Sequence, residues 1–302
     1  MGNVIYVENL SKYFSSGFKR RKILNSLSFN VKKGEIVGFL GPNGAGKTTT
    51  IKILTNLLNF DEGIVKIFGL TPDKEEVRRR MGFLPEQPYF YDHLSGYEFL
   101  EFTGELYGIE KKKLKSNIEK LLEKVGLKDH GKKSIRTYSR GMLQRIGIAN
   151  VLIRDPELLI LDEPLTGLDP IGRREIKNLI YEQKLFGRTV FFSSHILSDA
   201  EEICDRVFLI FNGTIVKEGT LEEILRERIK SYEIVLKNFT DENYGDFNLE
   251  KRGDEYILKV NESEIEDILK KIFHSGKKVK IIRINPLVYT LEEWFVETLK
   301  KK

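Results

Sequence analysis

Gly41-Pro42-Asn43-Gly44-Ala45-Gly46-Lys47-Thr48, followed by Thr49, decides how this chain folds. The stretch satisfies the spacing G-x-x-x-x-G-K-[ST], which carries meaning only between a strand and a helix. Both flanks are present. Glu35 to Leu40 is an apolar run of strand length, and Thr48 to Leu58 carries Ile51, Leu54, Leu57 and Leu58 at helical spacing. In that context the glycines let backbone N–H groups turn inward around phosphate oxygens, and the positive end of the helix adds to them. Lys47 is read as the cation reaching the terminal phosphates of a nucleotide and Thr48 as a hydroxyl ligand for Mg²⁺. Asn43, Gly44, Ala45, Gly46 and Thr49 complete the cradle.

Working outward, Leu158-Leu159-Ile160-Leu161 is a wholly apolar strand that ends in Asp162, Glu163 and Pro164. Open parallel sheets bind ligands beyond the carboxyl ends of their strands, so two acids there point to phosphate chemistry. Asp162 is expected to hold Mg²⁺, and Glu163 to accept a proton from an attacking water. Further strands are expected at Val4–Val7, Ser28–Val31, Thr189–Ser193 and Val207–Phe211, with a helix over Gly172–Phe186. Between them the strands stop, and Tyr97–Leu106, Leu114–Val125 and Met142–Ile153 read as helices. The expected architecture is therefore α/β, a P-loop core at residues 1–225 with a helical subdomain inserted at about 88–153. A small C-terminal α+β domain follows at 226–302. It carries strands at Tyr232–Leu236, Tyr256–Val260 and Lys278–Ile284, a helix at Ile265–Phe273, and a last helix at Leu291–Leu299 with Trp294, Phe295 and Leu299 on one side.

Composition narrows the classes. The 302 residues hold 50 Lys+Arg against 45 Asp+Glu, a net charge of only +5, which argues against a protein that wraps a polyanion by bulk charge. The single cysteine, Cys204, forms no internal disulfide and favours a reducing compartment. No signal peptide is read at Met1–Leu10, and the strongest apolar runs fall short of the roughly 20 residues that span a bilayer. The basic character is local: residues 110–136 hold ten Lys/Arg against four Asp/Glu. That run reads either as a solvated helix face or as a face held near anionic lipid headgroups.

With these motifs in place, residues 4 to 220 resemble the ATP-binding subunit of the ABC transporter family. Gln87, in Pro85-Glu86-Gln87-Pro88, matches the family's Q-loop, although on residues alone it sits in an ordinary proline-bounded loop. Tyr138-Ser139-Arg140-Gly141-Met142 is similar to the signature usually written Leu-Ser-Gly-Gly-Gln; three of five letters depart, while Ser139 and Gly141 survive. Without the resemblance Ser139 is a helix N-cap, which it can be in either case. Gly167-Leu168-Asp169 resembles the D-loop, His195 the switch histidine, and Phe14 or its neighbour Tyr13 the ring that stacks on adenine, with register favouring Phe14.

The resemblance implies an ATP hydrolase using ATP and Mg²⁺, with Glu163, His195 and Gln87 in catalysis and Thr48, Gln87 and Asp162 around the metal. It implies that Ser139, Arg140, Gly141 and Met142 act on a nucleotide held by a second copy or a paralogue, since one phosphate loop makes half a machine. A polytopic membrane permease is the other expected partner, no nucleic acid is expected, and the place of action is the cytoplasmic face of the cell membrane. The motif wording and the C-terminal domain look more like exporters with separate permeases than like importers. The alternative is a soluble non-transport ABC-type ATPase acting on a ribosome or nucleic acid; such relatives carry two cores in one chain or long coiled coils, and neither pattern is found here.

Overall fold

The structure, a computed structural model, describes residues 2–16, 19–227, 229–237, 249–274 and 279–288. By internal packing the chain forms two compact units, Met1–Gly219 and Thr220–Lys302. The first unit opens with β1 (Asn3–Ser16), β2 (Lys19–Lys32), β3 (Ile36–Leu40), α1 (Lys47–Leu54), β4 (Glu62–Ile67), α2 (Glu75–Arg80) and β5 (Met81–Leu84). Three helices follow, α3 (Gly96–Leu106), α4 (Lys111–Lys124) and α5 (Arg140–Leu152). The chain then returns through β6 (Leu158–Leu161), α6 (Pro170–Leu185), β7 (Thr189–Ser194), α7 (Leu197–Glu201), β8 (Arg206–Phe211) and β9 (Thr214–Thr220).

β3, β6 and β7 are buried at every position, as strands covered on both faces must be. They belong to a six-stranded sheet of order β5-β6-β7-β3-β8-β9, and β5 through β8 pair in parallel. The register sets Leu40 beside Ser194 and Leu161 beside Phe192, so the segments after β3, β6 and β7 leave the sheet side by side at one edge. That edge is where a parallel sheet can present chemistry. A second, antiparallel sheet of order β2-β1-β4 covers the core. Phe29 of β2 joins the layers, its ring centroid 5.7, 5.8 and 5.3 Å from those of Phe39, Phe191 and Phe208.

The helical insertion starts with a capping box: Ser95 Oγ accepts from Glu98 N–H at 3.2 Å, and Glu98 Oε2 accepts from Ser95 N–H at 2.8 Å. α4 buries Leu114, Ile118 and Leu122, one residue per turn, and leaves Lys111, Lys112, Lys113 and Lys115 exposed. Ser139 caps α5, its Oγ accepting from Met142 N–H at 3.3 Å. Among the described residues no helix is long and apolar enough to cross a membrane.

The second unit comprises α8 (Leu221–Glu227), β10 (Ile229–Lys237), β11 (Leu249–Arg252), β12 (Glu255–Asn261), α9 (Ile265–His274) and β13 (Lys280–Val288). Its antiparallel sheet has the order β11-β12-β10-β13. Alternate residues Ile234 and Leu236 of β10 and Leu258 and Val260 of β12 pack against Ile268 and Ile272 of α9.

Several sequence expectations need correction. The helix after the phosphate loop stops at Leu54 rather than Leu58: Asn56 takes a left-handed φ of 57°, and Leu57 N–H turns back to Lys52 O at 2.7 Å, leaving Leu57 exposed. The strand expected at Val4–Val7 runs on to Ser16, because β2 pairs with it along its length. β4, β5, β9 and β11 and the helices α2, α7 and α8 were not foreseen; β4 has only Val65 and Ile67 buried, too weak an alternation to read. Packing divides the units after Gly219. The helix expected at Leu291–Leu299, with Trp294 and Phe295, lies outside the described residues, as does the start of the strand expected at Lys278.

Candidate functional site

The loop between β3 and α1 closes on itself tightly. A Cβ on Gly41 would stand 2.2 Å from Ile210 O, and one on Gly46, whose φ is 113°, would stand 2.6 Å from Leu24 Cδ2. Gly46 caps α1 with no side chain, which leaves the N–H groups of the first turn without a side-chain acceptor. Lys47 is 5% exposed, and its Nζ donates to Gly41 O at 2.7 Å and Pro42 O at 3.2 Å. The ammonium is thereby folded back over the loop, aimed at the space the N–H groups surround.

The two acids after β6 are held differently. Asp162 is 2% exposed, and its Oδ1 accepts from Ser193 Oγ at 2.6 Å and Thr48 Oγ1 at 3.4 Å. Burial pushes its carboxyl above the usual range, aided by the charges of Glu86 and Glu163, while the two hydroxyls pull the other way. Glu163 has a positive φ of 49°, which swings it out of line with the strand, and its N–H donates to the same Ser193 Oγ at 2.8 Å. Its Oε1 lies 3.3 Å from Lys47 Nζ, and its Oε2 meets His195 Nδ1 at 2.8 Å and Thr166 Oγ1 at 2.9 Å. Burial raises Glu163, but His195, Lys47 and Thr166 together outweigh it and hold the carboxyl below its ordinary value. With Glu163 ionised, His195 carries its proton on Nδ1 and turns Nε2 away from the acid.

Glu163, Thr166 and His195 line a cleft of about 680 Å³ with Asn43, Gly44, Gly46, Lys47, Thr48 and Thr49; Asp162 and Ser193 do not line it. Phe14 stands in the same wall, 45% exposed, while Tyr13 is engaged elsewhere, with Arg20 and Lys22 over its ring. Lys12 Nζ stands 5.6 Å from the centroid of the Phe14 ring. Ala45 is buried beneath the loop. Gln87 is exposed and does not line the cleft; its neighbour Glu86, also exposed, does. Reading the sequence alone missed Ser193, Thr166, Glu86 and Arg21. Ser193 had a legible signal, a polar pair closing the apolar strand before His195.

Ser139, Arg140, Gly141, Met142 and Asp169 line a separate hollow of about 390 Å³. No residue lines both hollows. Arg140 lies over Gly167, where a Cβ would come within 2.1 Å of the guanidinium carbon. Asp169 caps α6, its Oδ1 accepting from Gly172 N–H at 2.7 Å. A third groove, of about 1040 Å³, holds none of these residues; Arg78, Arg79, Tyr107, Lys113, Lys120 and Arg154 line it where β5 meets the helical insertion.

The family model described as "ABC transporter" matches residues 24–166, from β2 through the turn after Glu163. A Synechocystis protein named "Uncharacterized ABC transporter ATP-binding protein" is 38% identical over 99% of this chain and 86% of its own length. The bacitracin transport ATP-binding protein BcrA of Bacillus licheniformis is 37% identical over 99% and 98%. A solved structure described as the ATP binding subunit of an ABC transporter matches with a TM-score of 0.66 at 32% identity, covering 74% of this chain and 92% of that one. Likeness over nearly the whole length on both sides extends well beyond the phosphate loop. The chain belongs to the ABC transporter ATP-binding proteins, binds ATP, and is an ATP hydrolase coupled to transport.

Proposed function

We propose that this chain is one of two ATP-binding copies, identical or paralogous, that sit at the cytoplasmic face of the membrane and power export through a separate polytopic permease. The carrying observation is that the phosphate cleft and the Ser139 hollow share no lining residue. Signature residues that line a hollow apart from their own chain's phosphate cleft fit a neighbour's nucleotide, so ATP lies between two copies and holds them closed.

In this reading Phe14 stacks on the adenine, and Asn43 to Thr49 with Lys47 grip the phosphates. Thr48, Asp162 and Gln87 are the oxygen donors for Mg²⁺. The donor set fits: a hydroxyl and a carboxylate 3.4 Å apart offer hard oxygens, and among the described residues no cluster of three His, Cys, Asp or Glu forms a cage of its own. Mg²⁺, when bound, neutralises phosphate charge. Gln87 enters from the loop joining β5 to the helical insertion, so it reaches the site when that insertion moves. Lys47, once engaged by phosphate, leaves Glu163; losing that cation raises the acid toward the strength a base needs. Glu163 then takes a proton from water as its oxygen bonds to the γ-phosphorus and the bond to the ADP oxygen breaks. His195 orients Glu163 and the water.

The third groove is the docking face for the permease, and its cations and Tyr107 suit an acidic segment with an apolar side. A likeness to a protein named for bacitracin transport supports a cargo of that chemical kind. Residues 226–302 are taken as an accessory domain without chemistry of their own. Affinity purification from detergent-solubilised membranes tests the reading: recovery of a polytopic membrane protein supports it, and recovery of ribosomal RNA instead favours the non-transport ATPase.

A further inference from the structure

α6 begins at the Asp169 turn and α7 begins two residues beyond His195, and the two helices are joined by a buried cluster of charge. Asp199 of α7 is 2% exposed. Its Oδ1 lies 3.2 Å from Lys177 Nζ, and its Oδ2 lies 3.2 Å from an Arg173 Nη2, both cations coming from α6. Oδ2 makes no hydrogen bond, so Arg173 satisfies it by charge alone. Lys177 also donates to Glu202 Oε1 at 2.6 Å. Arg173 reaches the other way as well, its Nε donating to Leu165 O at 3.5 Å, in the turn between Glu163 and Asp169.

A buried carboxylate held between two cations gains little net stability over an apolar contact of the same shape, because all the charges lose water. It does demand one arrangement, since sliding either helix leaves a charge unpaired at a cost of several kcal/mol. The arrangement it fixes is the exit from β7. Ser194 Oγ accepts from Ile196 N–H at 3.0 Å and donates to Ile196 O at 3.1 Å, a stiff turn with His195 at its middle, and α7 continues directly from it.

We propose that Asp199 is a positioning residue, clamped by Arg173 and Lys177 so that α7 holds His195 against Glu163 and moves with the Asp169 turn. A shift of that turn on pairing with a second copy is then carried by α6 to His195. The proposal rests on the roles assigned above to Glu163 and His195.

The test is a double-mutant cycle in the full-length chain. Asp199→Asn is expected to lower kcat about tenfold while KM and the equilibrium affinity for ATP stay within about twofold. In a His195→Ala background, followed by single-turnover hydrolysis, Asp199→Asn costs less than about twofold further, because the group through which it acts is gone. An equal loss in both backgrounds, or a loss shared by ATP affinity, overturns the proposal in favour of a merely structural ion pair. Should Asp199→Asn fail to fold, Arg173→Met, which leaves Lys177 on the carboxylate, is read in the same cycle with the same two outcomes. Glu163→Gln with undiminished hydrolysis removes the site assignment itself, and so separates that failure from this one.

Discussion

The edge of the parallel sheet in the first unit and the small antiparallel sheet of the second are both layers of strands and helices, yet they bury opposite kinds of side chain. At the parallel edge Lys47, Asp162, Glu163, Ser193 and Ser194 are all less than 9% exposed; Ser193 bridges Asp162 and Glu163, Lys47 pairs with Glu163, and Ser194 closes its own turn on Ile196. In the second unit every buried residue among those described is apolar, from Ile224 to Ile272. Buried charge costs more than it returns unless something demands it. The first interior is a site held ready for an anion, and the second is packing. The difference predicts how each region answers to substitution: the first should lose chemistry without losing its fold, and the second its fold without losing chemistry.

Glu163→Gln is the sharpest way to strain that contrast. It keeps the shape and can still accept from Thr166, so ATP is expected to bind while turnover falls about 10²- to 10⁴-fold, the range for removing a general base. Two copies should then stay joined in ATP, seen as a doubled mass by size-exclusion chromatography with light scattering. Full turnover in this variant would take the base role away from Glu163.

Leu258→Ala tests the other side. Leu258 of β12 is fully buried in the cluster formed with β10 and α9, and truncation is expected to cost about 2–5 kcal/mol in the second unit. Hydrogen exchange should quicken in β10 and β12, with ATPase activity little changed. A large loss of ATPase would show that the apolar unit serves the chemistry after all.

Lys47→Ala comes next. It removes the cation over the phosphate loop, and a charge-assisted contact of about 1.5–3 kcal/mol converts to a loss of roughly 10- to 100-fold or more in ATP affinity, read by calorimetry. Wild-type affinity would contradict the reading of the loop.

These residues were legible in the sequence because their signals are local. The phosphate loop is contiguous, and Asp162 and Glu163 end one uninterrupted apolar strand. What stayed hidden was assembled from distant segments. Ser193 bridges Asp162 and Glu163 only because β7 lies beside β6, and Asp199 meets Arg173 and Lys177 only because α7 packs on α6. Gln87 was named from resemblance, while its neighbour Glu86, which lines the cleft, was not named. Among strands, the fully buried β6 and β7 were found and the half-exposed β4 was not, since only burial writes a pattern into the sequence.

The smallest effect is also the finest probe of the buried acids, because neighbours in sequence should respond to pH with opposite signs. Glu163 is held below its ordinary value in the folded chain, so it contributes stability above the unfolded glutamate range, near about pH 4.3, and that contribution is lost as pH falls through the folded value. Asp162 is raised on folding. Its favourable contribution exists only below the unfolded aspartate value, near about 3.9, and is lost as pH rises through the folded value, leaving a buried charge that opposes folding at neutral pH. In nucleotide-free protein with chelator present, Glu163→Gln should therefore lower the thermal midpoint at pH 7 and Asp162→Asn should raise it. Each change should be on the order of 1 kcal/mol, the size of one buried hydrogen bond. On acidification the Asp162 difference should shrink first, because its folded value lies above the ordinary one, and the Glu163 difference should persist to lower pH, because its folded value lies below it. Both variants lowering the midpoint at pH 7 would mean that Ser193 and Thr48 stabilise the charge of Asp162 more than burial penalises it. The phosphate edge would then store no strain for metal binding to relieve.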